Sequence, residues 1–525
     1  MKQTFIITLI CLIFLGCSMN QSGVSYSTTT VLEKQPTETI SLNDGDSFHM
    51  TLEKIKTTIQ GKEVEMFAYN QQIPGPIIRV PQGSEITLYL KNNIGEDTTL
   101  HSHGLRLDNA FDGVPDMQQQ PIKNGNEFVY TLKFPDVGIY WYHPHIREDK
   151  QQELGLYGNF YVIPKDENYW NPVNKEEFIF LDDIKMDNNG IAPFSDDFTD
   201  HSLMGRFGNV FLTNGKTEYT LNINQGDIVR FYITNAANTR TFNLSIPGLK
   251  LKKVGSDNGK YETEEWVNSL IIAPSERYIF EAYFPNSTQY MLHHETPQGM
   301  YMLGNIIVAS ESSDNDLSST FDVLHENQNI TTEFDKFKTY FDAPVDKSLT
   351  LSLIMKGMKN SMNMSMGKSI SNDMGEMDHS MHTMSNTDEA VPKIEWEDTM
   401  GMMNEHSNSE MIEWQIIDDE TGNMNDAIHW KFKKGDLVKI KIFNDPSSMH
   451  PMQHPIHFHG QRFLVLTTNG NKNENLTWKD TTLIQTGDTV EILVEMSNPG
   501  EWLAHCHIAE HMHSGMMFPF KVLDE

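Results

Sequence analysis

The sequence predicts an all-β protein made of three sandwich domains in tandem, and three observations predict it. One plan recurs three times: a polar turn with glycine, an alternating strand, Asn-containing turn residues, then a second strand. It reads "VPQGSEITLYLKNN" then "TLHSHGLRL", "INQGDIVRFYITNAAN" then "TFNLSIPGLKL", and "FKKGDLVKIKIFND" then "HPIHFHGQRFLVL". Within each copy, apolar residues alternate (Ile86, Leu88, Leu90; Val229, Phe231, Ile233; Val438, Ile440, Ile442), the period of a half-buried strand. Turn signals are frequent and long helical patterns scarce, which favours sandwiches. A repeat this long is a repeated domain rather than a solenoid unit. The expected domains are 41–165, 166–345 and 346–525.

The chain has 525 residues, more than one core usually organises. Its 40 basic and 72 acidic residues give a net charge of −32. Such a surface repels phosphate backbones, so nucleic acid is not an expected partner, and it attracts cations.

At the N-terminus, Lys2 precedes an apolar run from Phe5 to Leu15, too short to span a bilayer and built like a signal-peptide core. Phe14-Leu15-Gly16-Cys17 resembles a bacterial lipobox. The expectation is a signal peptide over 1–17, a lipid on Cys17 touching the membrane, and a flexible tether over 18–40. The mature protein would be exported and anchored to the outer face of the cell membrane. Only Cys506 would remain as a thiol, which excludes an internal disulfide.

Four motifs carry metal chemistry. They are "HSH" (His101, His103), "WYHPH" (His143, His145), "HPIHFHG" (His454, His457, His459) and "HCHIAEHMHSGM" (His505, Cys506, His507, His511, Met516). In a strand, residues i and i+2 share a face, so each His-x-His pair presents two imidazoles together. The pairs 101/103, 143/145, 457/459 and 505/507 come from the first and third repeats and can meet at one interface. Cys506 must face the other way, where it can join His454, His511 and a weak axial Met516. Two His, one Cys and a distant Met form a blue-copper electron-transfer site. The middle repeat has Asn243 and Ser245 where the first has His101 and His103, so it keeps the plan without ligands at those positions.

These motifs resemble those of the multicopper oxidases, a family of linked cupredoxin-like Greek-key domains, over essentially the whole mature chain. The resemblance implies four copper ions: one type 1, one type 2 and two type 3. His454, Cys506, His511 and Met516 would hold the type 1 ion, and His101 and His457 the type 2. One type 3 ion would take His103, His143 and His507, the other His145, His459 and His505. The implied activity is one-electron oxidation of a substrate, with Cys506 relaying electrons, coupled to reduction of O2 to water. Asp112, in "FDGVPD", and Glu510, before His511, match carboxylates that handle protons in the family.

A methionine-rich insertion spans 355–411 and holds 13 of the 30 methionines among polar residues. Its composition predicts poor order. Thioethers favour Cu(I), and the segment resembles that of bacterial cuprous oxidases. Met452 matches a substrate-site methionine of that subgroup, and Met355, Met358, Met362, Met364 and Met366 are candidate substrate ligands. His450 stands where the subgroup has an acid. The expected partners are O2 and Cu(I) or another small reductant. A laccase-like phenol oxidase, a ferroxidase and an anchored copper-sequestering protein are the competing functions.

Overall fold

The computed structural model describes residues 32–356 and 391–525. Met358, Met362, Met364 and Met366, the signal segment and Cys17 lie outside the described residues.

The strands form three consecutive groups of facing sheets. The first pairs two five-stranded sheets, the second a six- and a five-stranded sheet, the third a seven- and a five-stranded sheet. Each group closes over its own apolar core. In the first, Leu88, Leu90 and Tyr130 of one sheet meet Tyr142 and Phe160 of the other. Phe231 and Phe280 meet Leu292 and Ile306 in the second, and Ile440 and Ile492 meet Trp502 and Phe518 in the third. The alternating residues picked out by pattern are the inward ones because successive side chains of a strand point to opposite faces. Among the described residues the longest helix is Gln328–Phe334.

One five-stranded sheet in each group shares a common pairing. The strand that opens each second half of the repeat (His101–His103, Phe242–Ser245, His454–Phe458) lies antiparallel to a later strand (Gly138–His143, Gln289–Thr296, Gly500–Cys506). His101 is thereby opposite His143, and His457 opposite His505. Paired residues share a face, so the register alone brings imidazoles from distant sequence together.

Two expectations need correction. Residues 32–40 are not a free tether: Leu32–Glu33 and Thr39–Ser41 pair in parallel with other strands. Lys34 Nζ donates to Gly215 O and Thr37 Oγ1 to Pro74 O. Paired backbone groups, which composition does not reveal, hold this stretch. The methionine-rich segment is likewise packed at both flanks. Met355 ends a strand opposite Ile412. Residues 391–411 carry a short helix, Gly401–Glu405, and buried Asn404 accepts from Met204 N and donates to Gly205 O.

Candidate metal centres

Only the pair His101/His103 lies wholly within a strand. Each of the other three pairs straddles a strand end: His143, Phe458 and Cys506 are the last strand residues, with His145, His459 and His507 just beyond. The same-face rule therefore positions the first pair, and loop geometry the rest. The structure brings all eight imidazoles together. His101 stacks on His459 with ring centroids 4.0 Å apart, and His103 on His457 at 3.6 Å, which joins the first and third sheet groups. Donor atoms of three triplets each lie within 4.8 Å of one another: His101/His457/His459, His103/His143/His507 and His145/His459/His505.

The rings are oriented from behind. Nδ1 donates to a main-chain carbonyl in four of them: His101 to Asp112 O at 2.7 Å, His143 to Pro144 O at 2.8 Å, His457 to Asp480 O at 2.7 Å and His505 to Cys506 O at 2.8 Å. In three it faces a carboxylate: His103 to Asp480 Oδ1 at 3.0 Å, His145 to Glu148 Oε1 at 2.8 Å and His459 to Asp112 Oδ2 at 2.9 Å. A hydrogen bond at Nδ1 fixes the tautomer and leaves the Nε2 lone pair for a ligand. Burial pulls the pKa of His103, His143, His457, His459 and His505 well down, and neighbouring imidazoles add to it. His507 falls to about 3, burial first. These rings are neutral at neutral pH, the form that binds metal.

Four supporting side chains escaped the sequence reading: Asp480, Arg277, Glu148 and His513. Asp480 is buried and holds Arg277 through Nη1 at 2.7 Å and Nη2 at 2.5 Å. Arg277 belongs to the middle group of sheets, so that ligand-poor unit braces the cluster through Asp480. The "HSHG" glycine serves this contact: a Cβ on Gly104, at φ +78°, would sit 2.1 Å from Asp480 Oδ2. Glu148 joins His145 to His513 Nε2, 2.6 Å away. Burial opposes ionisation of Glu148, yet the two histidines hold it well below the usual carboxylate range. Nothing short of the fold links Asp480 to Arg277 or Glu148 to His513, which stand far apart in sequence.

Asp112 and Glu510 differ in placement. Asp112 touches Nδ1 of both His101 (Oδ1, 3.3 Å) and His459 (Oδ2, 2.9 Å), so its carboxylate sits behind the rings as a positioning group. Glu510 is fully buried and accepts from Thr239 Oγ1 at 3.0 Å through Oε2; Oε1 has no hydrogen-bond partner among the described residues. Burial raises its pKa to about 8, with Asp149 adding.

On the opposite face of the strand Gly500–Cys506, Cys506 Sγ lies 3.6 Å from His454 Nδ1 and 3.9 Å from His511 Nδ1, which are 3.3 Å from each other. Trp414 stacks on His511 at 4.1 Å. Met516 is fully buried in the same core and its carbonyl accepts from Cys506 N. Burial lowers His454 to about 3 and pushes the Cys506 thiol up. Met452, two residues before His454, is fully buried nearby in that core. His450 Nε2 is buried without a hydrogen-bond partner among the described residues; burial lowers its pKa and the nearby Asp398 opposes that.

The donor sets suit copper. His459 and His505 approach Nε2 to Nε2 at 2.9 Å although both rings use Nδ1 toward an oxygen, so two lone pairs face each other. That contact is repulsive without a cation between the rings. Six further Nε2 atoms, of His101, His103, His143, His145, His457 and His507, are buried without hydrogen-bond partners among the described residues. Neutral imidazoles suit a first-row metal, and the His2Cys set with a buried Met suits a blue-copper ion.

Models of the family described as "Multicopper oxidase" match residues 51–167, 160–310 and 395–525. This chain belongs to the multicopper oxidases. It is a copper-dependent oxidoreductase. It is 25% identical over 492 residues to "Multicopper oxidase mco" of Staphylococcus aureus, covering 91% of this chain and 89% of that protein. Copper resistance protein A of Escherichia coli is 24% identical, with 91% of this chain and 93% of the relative covered. A solved structure described as "Multicopper oxidase from Campylobacter jejuni: a metallo-oxidase" superposes with a TM-score of 0.67 at 23% identity, covering 95% of this chain and 98% of that one. The all-β fold of tandem cupredoxin-like domains is that of the family.

Proposed function

We propose that this multicopper oxidase oxidises Cu(I) to Cu(II) in copper detoxification, outside a bacterial membrane to which a lipid on Cys17 holds it. The reading takes four copper ions, distributed as the motifs imply: type 1 on His454, Cys506, His511 and Met516, and the trinuclear set on the eight paired histidines. When bound, copper supplies one-electron uptake at the first group and reduction of O2 to water at the second.

The chain's own residues do the rest. Cys506 stands between His505 and His507, so one tripeptide joins the two groups through covalent bonds. Glu510, with its pKa near 8, carries a proton at neutral pH. Thr239 Oγ1 donates to Oε2, and Oε1 has no hydrogen-bond partner among the described residues. A positioned carboxylic acid of this kind can supply a proton at the operating pH. Asp112 holds two rings of the cluster and so sets the separation of their Nε2 atoms.

One observation favours Cu(I) over a phenol. The packed flank of the methionine-rich segment is tied to the residue before His454: Glu395 N donates to Gln453 Oε1 at 2.8 Å, and Gln453 Nε2 to Glu395 O. Met400 of that flank packs against the core that holds Cys506 and Met452. Met402, Met403, Met411 and Met449 are exposed on the same segment and on the loop before His454. Soft donors thus lie on the segment anchored beside His454 and on the loop before it, which favours a soft cation over an aromatic ring. For location, the support is the leader-like N-terminus; among the described residues no helix is long and apolar enough to cross a membrane.

The test is oxygen consumption with Cu(I) and with a phenol, for the copper-loaded protein and for a version lacking residues 357–390. The packed flank stays in place in that version. The reading expects Cu(I) oxidation to dominate in the intact protein and to fall on deletion while phenol oxidation rises. Dominant phenol turnover, unchanged by deletion, would make the chain a general laccase.

A further inference from the structure

The middle group of sheets has lost the cluster histidines, yet the outer face of its five-stranded sheet carries soft donors of its own. This face is the counterpart of the one that presents imidazoles in the other groups: Ser245 lies opposite His293 as His103 lies opposite Trp141. On it, the adjacent strands Gln289–Thr296 and Gly299–Ser312 place His293 directly opposite Met302 and Glu295 directly opposite Met300. Directly opposed side chains have Cβ atoms about 4.5–5.5 Å apart, within reach of one another. Met291, two residues before His293, shares the face.

The exposures are unusual for an apolar set. Met300 is 64% exposed, Met302 55% and Met291 41%, while His293 is only 7% exposed and its Nδ1 is buried without a hydrogen-bond partner among the described residues. Glu295 is already engaged, its Oε1 accepting from Ser245 Oγ at 2.6 Å. An imidazole nitrogen left bare costs free energy in the resting fold, and a ligand that meets it recovers that cost. Two thioethers and an imidazole are the donors that select a soft monovalent ion, whereas an ordinary exposed sheet face carries polar residues.

The geometry points to a second soft-metal site on this hairpin, in which Met300, Met302 and His293 bind Cu(I). The same hairpin also meets the packed flank of the methionine-rich segment. The hairpin turn, Pro297-Gln298, lines a hollow of about 510 Å³ together with Pro392, Ile394, Glu395, Trp396 and Thr399. That is the flank whose Glu395 bonds to Gln453. On the inner side of the same strand, His294 lies 5.9 Å from Trp396. The site therefore holds Cu(I) on the hairpin whose turn and inner side meet that flank, and raises its local concentration beside it. Binding at the hairpin stands by itself; the delivery role rests on the cuprous-oxidase reading.

The experiment uses the copper-loaded full chain with [13C]methyl-labelled methionine, titrated with silver(I) as a non-oxidisable stand-in for Cu(I). Signals of Met300 and Met302, assigned by substitution, are expected to shift together and saturably. His293→Asn should weaken that titration about tenfold, the lower end of what losing even an outer partner of a metal costs. The double variant Met300→Leu/Met302→Leu keeps the apolar area and volume, so a protein partner would still dock on it while silver would not bind. In that variant KM for Cu(I) is expected to rise several-fold with phenol turnover unchanged. Signals that stay put while other methionines titrate, or that titrate equally in His293→Asn, would overturn the site. An unchanged KM for Cu(I) would overturn its delivery role. Should the intact protein not oxidise Cu(I) at all, the cuprous reading falls and the silver titration still decides the site.

Discussion

The two copper groups stand back to back on one strand and are built in opposite ways. In the cluster, Nδ1 of seven rings faces a carbonyl or carboxylate behind it, and Nε2 is turned inward. In the His454–Cys506–His511 group the orientation reverses: Nδ1 faces the sulfur, and the surroundings are Trp414, Ile508 and Met516. The cluster is fixed by hydrogen bonds and ion pairs to Asp112, Asp480 and Glu148, the single-ion group by apolar packing. The difference teaches that a site which assembles ions from two domains depends on directional bonds, whereas a site within one domain can rely on a tight core.

The comparison breaks most completely at Cys506. Cys506→Ser should remove the intense visible absorption of the type 1 ion and reduce oxygen consumption below detection, with cluster copper retained by metal analysis. Simultaneous loss of cluster copper would mean that the two groups are not separable. Asp480→Asn attacks the directional side. It removes one of the two buried carboxylates that face the Arg277 guanidinium, Asp257 remaining at 3.7 Å, which should cost about 3 kcal/mol of stability and deplete the cluster while sparing the type 1 absorption. An unaltered melting temperature would remove the bracing role of the middle sheets.

Glu148→Gln is expected to be milder. It keeps the shape but weakens the hold on His145, so copper affinity at that ion should fall roughly 10–100-fold in a chelator competition. Met516→Leu should matter least. The swap conserves volume, so stability should change by less than about 1.5 kcal/mol, and the visible band should shift in position without vanishing. A protein that unfolds on this change would show Met516 to be a packing residue first.

How much of this was legible beforehand varies with the kind of residue. The ten histidines, Cys506 and Met516 stood out by type and spacing, because few structural segments need such donors together. The residues that orient them did not. Asp480 is 203 positions from Arg277, and His513 is 365 from Glu148, so no local pattern links them. The methionine-rich segment misled in another way. Its composition implied disorder throughout, yet Asn404, Ser407 and Trp396 are tied into the middle sheets through Met204, Leu203 and Arg240. A few polar anchors outweigh a low-complexity background when they meet matching backbone groups.

The sequence by itself determined the all-β character, the threefold repeat and the candidate metal-binding side chains, since strand alternation and donor chemistry are local properties. Tertiary structure alone decided which imidazole rings stack across the two domains, which oxygen fixes each tautomer and how Asp480 and Glu148 come to stand behind the rings. Those choices depend on contacts between strands hundreds of residues apart, whose register is set by the packing of whole sheets.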